Sequence, residues 1–308
     1  MSGAVFPIHG RDERLVRARL ALEGLSVGDA FGEGFFGTPS RYEKMVAQRI
    51  VPLGRWAYTD DTVMALGIFK ILARMGRIDQ DALAHEFALA YLADPRRGYG
   101  ATAHDILAQI GREVPWRQAS TQAFHGQGSM GNGAAMRVAP LGAFFAEDLS
   151  TVVEQARRSA EVTHAHPEGQ AGAIAVAVAA AWACKGTQEV PGQALLETVL
   201  RYTPDGDTKE GVQKALSLPF DSSVQTAVAL LGNGSAITSR DTVPFSLWCA
   251  ARHLGDYREA LWSTVSGMGD LDTTCAIVGG IVALAAGESS IPGEWKRARE
   301  TLPPPLSP

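Results

Sequence analysis

The chain has 308 residues, is 46% hydrophobic and carries a net charge of −5 with a pI near 5.8. That length can bury a large core, as one domain or two. Acidic and basic residues are interspersed, so nothing points to a nucleic acid or an anionic membrane as partner; a polyanionic ligand would need glycine-rich backbone or metal to hold it.

The opening MSGAVFPIHGRDER has no apolar core of a secretory signal. Apolar residues then recur at spacings of three and four over 12–32, 62–75, 80–93, 101–112, 149–163, 167–185, 193–203, 208–217, 222–231, 241–254, 256–267, 273–287 and 293–301, the helical period. Strict alternation is scarce. These segments predict an all-α protein: a single compact orthogonal bundle of roughly a dozen or more helices over residues 1–300. The final LPPPLSP (302–308) cannot be helical and predicts a loose Pro-rich tail over 301–308. The apolar runs 171–184 and 273–287 are shorter than the ~18 residues of a membrane span and read as helices buried all round. Three widely spaced cysteines, Cys184, Cys249 and Cys275, read as reduced thiols, which implies a cytoplasmic protein.

Glycines cluster in short loops, among them GDAFGEGFFG, RRGYG, GQGSMGNGAA and GMGD, where backbone approaches something closely. Two acid clusters stand out. In YTDDT, Asp60 and Asp61 follow Thr59 at the head of an apolar helix. Capping explains one acid there and leaves the adjacent, repelling one without a role. In GDLDTT, Asp270 and Asp272 precede Thr273 and Thr274, again opening an apolar helix. Carboxylates at a buried helix end are costly without a cation. Their hard oxygen donors suit two Mg²⁺ (or Mn²⁺) ions rather than Zn²⁺. The loop GQGSMGNGAAMRVAP precedes a helical run, a backbone arrangement that can cradle a diphosphate; the alternative is an ordinary flexible loop capped by Asn132. His164 and His166 also fit core or helix-end packing, and Met136 and Arg137 fit packing inside the fold.

GDAFG (28–32), TDDT (59–62), DPRRGYG (94–100), GSMGNGAAMRVAP (128–140), VTHAHPEG (162–169) and GDLDTT (269–274) occur together and in order. In this the chain resembles the ADP-ribosylglycohydrolase family, from about residue 13 to about 288. The resemblance implies that Thr59, Asp60 and Asp61 form one metal-ligand set and Asp270, Asp272 and Thr273 the other, with Asp272 bridging two ions. It implies that Gly128, Ser129, Met130, Gly131 and Asn132 embrace the ribose and diphosphate of ADP-ribose, with His164 close by. It places Arg97, Gly98, Tyr99 and Gly100 on the substrate side. The implied activity releases ADP-ribose from an ADP-ribosylated protein or small molecule, with Asp60 or Asp61 as base or acid and no stable nucleic-acid or membrane partner.

Two features bear on the acceptor. Several relatives carry a Glu four residues after GDxxG, where this chain has Phe36. Glu33 is the nearest substitute, with a different geometry. The Gly54–Met64 pattern, GRWxxxDDTVM, is shared with an arginine-directed branch and favours an arginine-type or related N-glycosidic acceptor. The missing Glu leaves room for a weakened ADP-ribose-binding relative. The same acids would also serve a two-metal phosphohydrolase acting on nucleotide diphosphates.

Overall fold

The computed structural model describes residues 8–185 and 192–303. These form sixteen α-helices and two short 3₁₀ turns, with two isolated bridges, Trp56 to Arg299 and Gly131 to Thr238, as the only β-type pairings among them. The all-α expectation holds. Three helices had no clear period in the sequence. Pro39–Ala47 is a short amphipathic helix that turns Tyr42 and Met45 inward. Trp116–Gly126 is broken by non-helical backbone at Ala123, Phe124 and His125. Ala139–Phe144 is six residues long and wholly buried, too short to show a period. Residues 301–303 are non-helical, and the rest of the expected tail lies outside the described residues.

The Ile8–Glu33 and Leu271–Ala286 helices pack against each other along most of their length. Small residues make this possible. A Cβ added at Gly24, Gly28 or Gly32 would overlap the carbonyl oxygens of Gly279, Cys275 and Leu271 in turn. These glycines lie four apart, on one helical face, and let two backbones meet. The Leu271–Ala286 helix is buried continuously from Thr273 to Leu284, and the Pro167–Ala183 helix from Ala171 to Ala183, as their lack of a polar face predicted.

Aromatic packing anchors the C-terminal end of the first helix. Phe31 stacks on Trp295 at 4.4 Å and meets Phe35 and Trp262 edge-on. Trp56 closes the group, and its backbone pairs with the chain end: Trp56 N–H donates to Ala298, and Glu300 N–H donates to Trp56 at 2.7 Å. The segment leading into YTDDT is therefore fastened at Trp56 to the chain end. No helix among the described residues is long and apolar enough to cross a membrane. Cys249 and Cys275 are buried and Cys184 is half-buried; all three are free.

Candidate active site

The Asp60–Met75 helix begins where YTDDT ends. Thr59 is its N-cap, and its hydroxyl accepts from Asp61 N–H at 3.3 Å. The second acid is not needed for this. The cap itself is held by a residue that sequence reasoning passed over, Asp29. From the middle of GDAFG, its fully buried carboxylate accepts from Thr59 N–H at 3.0 Å and Thr59 Oγ1 at 2.9 Å. It also accepts from Thr62 N–H at 3.1 Å and Thr62 Oγ1 at 2.5 Å. One side chain thus satisfies the first turn of another helix. In the sequence it is one acid among several charged residues of that helix, set apart only by its place in GDAFG. Burial raises its pKa to about 6, even with those hydrogen bonds pulling the other way.

Asp60 and Asp61 are then displayed at the helix start, both buried. Asp60 N–H donates to the carbonyl of Arg97 at 2.6 Å. Gly98 follows with φ +90, beside Asp60 and Thr59, so the glycine supplies the left-handed turn that carries the chain past the acid. The Arg97 guanidinium points elsewhere. It forms a two-point pair with Glu300, at 2.7 and 2.9 Å, and covers the Tyr58 ring at 4.7 Å. Tyr99 is buried with its hydroxyl unpartnered and close enough to feel the Asp60 charge, which with burial raises its pKa. Gly100 caps the Ala101–Gly111 helix.

Asp270 and Asp272 stand at the start of the Leu271–Ala286 helix. The Asn132 amide reaches across from the glycine-rich loop and donates to Asp270 Oδ2 at 2.6 Å and to Thr242 Oγ1 at 3.0 Å. Asn132 therefore ties the loop to the second acid cluster. The loop packs on a histidine. Gly131 N–H donates to Ser129 Oγ at 3.1 Å, and Ser239 N–H donates to the Met130 carbonyl at 3.0 Å. Gly128 has φ +77, and a Cβ there would overlap His166 and Ala165. His164 is buried against this loop, while His166 caps the Pro167–Ala183 helix through Nδ1, its plain structural role.

The four acids feel one another. Burial pushes Asp61 well up, and the charges of Asp272, Asp29, Asp60 and Asp270 add to it. Asp272 is raised well up by burial and by Asp270, and Asp60 to about 8 by burial and Asp29. The two clusters, 210 positions apart in the chain, thus lie within reach of each other's charge. Asp61 Oδ2 and Asp272 Oδ1 are buried with no partner. Two orphaned carboxylate oxygens among mutually repelling acids fit a site that takes a cation. Among the described residues no three His, Cys, Asp or Glu side chains converge closely enough to hold an ion unaided. A cation would draw on the Thr59 and Thr273 hydroxyls as well. Glu33 sits at the end of the first helix, exposed, its pKa raised by partial burial and by Asp29. Phe36 is exposed three residues on.

Comparison with known proteins matches this architecture. The ADP-ribosylglycohydrolase family model matches residues 11–303. The chain is 31% identical to human ADP-ribosylhydrolase ARH3 over 278 residues, covering 79% of this chain and 74% of that one. It is 28% identical to the same protein of Xenopus tropicalis, covering 92% and 91%. A solved structure described as an ADP-ribosylglycohydrolase-related protein complex superposes with a TM-score of 0.68 at 26% identity, covering 94% of both chains. With the family model matched over residues 11–303 and relatives alike over most of the chain, the chain belongs to the ADP-ribosylglycohydrolase family.

Proposed function

We propose that this chain hydrolyses the bond between the anomeric carbon of the distal ribose of ADP-ribose and an acceptor, with two Mg²⁺ (or Mn²⁺) ions held by Thr59, Asp60, Asp61, Asp270, Asp272 and Thr273. The observation that carries the reading is the meeting of two acid pairs, with Asp61 Oδ2 and Asp272 Oδ1 buried and unpartnered. When bound, the ions supply positive charge that orients ribose hydroxyls and acidifies a water. The protein does the rest. The 128–132 loop receives the diphosphate on backbone N–H groups. Asn132 holds Asp270 in place. Asp60 and Asp61 repel each other, which separates their proton affinities, so that one serves as acid while the other is ionised as base. Glu33 stands at the edge, a solvent-side carboxylate near the place that Phe36 leaves without one.

An arginine-type N-glycoside follows from the Gly54–Met64 pattern and Phe36 alone, while the relatives named above carry the ARH3 name. A panel of ADP-ribosylated arginine, serine, nucleobase and acetyl compounds decides it. Intact ADP-ribose is the expected product; AMP with ribose phosphate would instead establish a phosphohydrolase. Asp61→Ala and Asp272→Ala are expected to lower turnover by at least about a hundredfold and to remove stabilisation by Mg²⁺ together. Full activity after metal stripping in EDTA would sink the two-metal reading.

A further inference from the structure

We propose that Thr163 and Arg137 are positioning residues that lock His164 as a neutral Nε2–H donor, aimed at an acceptor oxygen of bound ADP-ribose; the ligand in this inference rests on the function proposed above. Arg137 is buried, with 1% of its surface exposed. One of its amino groups donates to Thr163 Oγ1 at 2.9 Å and to the Ser159 carbonyl at 3.2 Å; the other reaches Met64 Sδ at 3.4 Å. Its guanidinium lies 4.5 Å over the Phe87 ring, and it forms no ion pair among the described residues. Thr163 Oγ1 is 2.8 Å from His164 Nδ1.

That chain of contacts selects one tautomer. Thr163 already accepts from Arg137, so its own hydrogen needs an acceptor. If His164 Nδ1 carried a proton, the hydroxyl would receive two donors and its hydrogen would be buried without a partner. If Nδ1 is bare, the hydroxyl donates to it, and both the Thr163 hydrogen and Nδ1 are satisfied. The single ring proton then sits on Nε2. The charged form is disfavoured too: burial first, then the Arg137 charge, lower the His164 pKa to about 3.

Nε2 faces the glycine-rich loop. It has no hydrogen-bond partner among the described residues, although only 8% of the residue is exposed. A Cβ at Gly131 or Gly133 would come within 3.3 Å of it. Glycine at both positions keeps the space before this donor open at the loop that meets Asp270 through Asn132. A fixed N–H donor cannot shuttle protons, so acid–base work falls to the carboxylates.

Nitrogen-15 NMR of the imidazoles tests this, with His164 assigned by the signal lost in His164→Gln. Between about pH 5.5 and 8, His164 is expected to hold the neutral Nε2–H pattern without titrating. Thr163→Val is expected to mix the tautomers and raise the Kd for ADP-ribose about tenfold, the worth of one hydrogen bond to a charged group. Thr163→Ser keeps the hydroxyl and is expected to preserve both. An imidazolium or an Nδ1–H pattern in the wild type overturns the inference, as does Thr163→Val binding ADP-ribose like the wild type. Should Thr163→Val not fold, the wild-type pattern and its retention in Thr163→Ser decide. ADP-ribose bound with the expected tautomer, but released from no substrate, would sink the hydrolase reading alone.

Discussion

Asp29 shows how much one buried side chain can organise. Its carboxylate sees no solvent and accepts from both backbone and hydroxyl groups of Thr59 and Thr62. Removing it leaves those donors unpaired beside Asp60 and Asp61. Asp29→Ala is expected to cost roughly 3 kcal/mol in urea unfolding and to abolish hydrolysis, because the helix start that displays the acids loses its anchor. His164 carries a pH signature. Its folded pKa of about 3 lies below the ordinary 6.5, so it stabilises the fold above pH 6.5 and that contribution is lost as pH falls toward 3. At pH 5 the unfolded imidazole is charged and the folded one is not, a cost of about 2 kcal/mol relative to pH 7. His164→Gln is expected to lack that loss. Comparing urea midpoints of variant and wild type at the two pH values cancels the carboxylates, which titrate in both.

At the scale of elements, the site depends on how closely two helices approach. Gly24, Gly28 and Gly32 form the face on which the Leu271–Ala286 helix rests. Asp29 projects from one helix and Asp270 and Asp272 stand at the end of the other, so this spacing sets the distance between the two acid clusters. Gly28→Ala places a methyl against the Cys275 carbonyl and must push the helices apart. It is expected to destabilise by about 1–3 kcal/mol, the range for overpacking, and to lower turnover. Gly76→Ala, at the left-handed C-cap of the Asp60–Met75 helix with nothing within 4 Å, is the control. It is expected to lose stability through backbone strain while keeping activity per folded molecule. Equal losses of activity in both would show that helix approach is not what the site requires.

At the scale of the molecule, the acids from both clusters sit on helices rooted in one continuous apolar core. Calorimetry of the described fold is expected to give one cooperative transition, with calorimetric and van't Hoff enthalpies equal. Mg²⁺ at a hundred times its dissociation constant is expected to add about 2.7 kcal/mol and to raise Tm accordingly. Asp272→Ala should keep the single transition and lose its response to Mg²⁺. Two separate transitions, or a metal response unchanged in that variant, would refute this view.

Helical period, length and the scarcity of alternation determined the all-α class, because side-chain burial in a helix leaves its mark every three to four residues. Paired acids at two helix starts made the candidate site legible, since adjacent like charges have no purely local use. The unbroken apolar runs also announced which helices would be central. Other features carried little local signal. The Pro39–Ala47 and Ala139–Phe144 helices are too short to show a period, and packing alone stabilises them. Asp29 reads as one more acid until the fold brings Thr59 and Thr62 to it from 30 and 33 positions away. That the Asn132 amide meets Asp270, and that Glu300 pairs with the Arg97 guanidinium, is likewise invisible in the sequence. Hydrogen bonds and ion pairs between distant segments depend on angstrom-scale distances set by the whole core, and only the tertiary structure decides those.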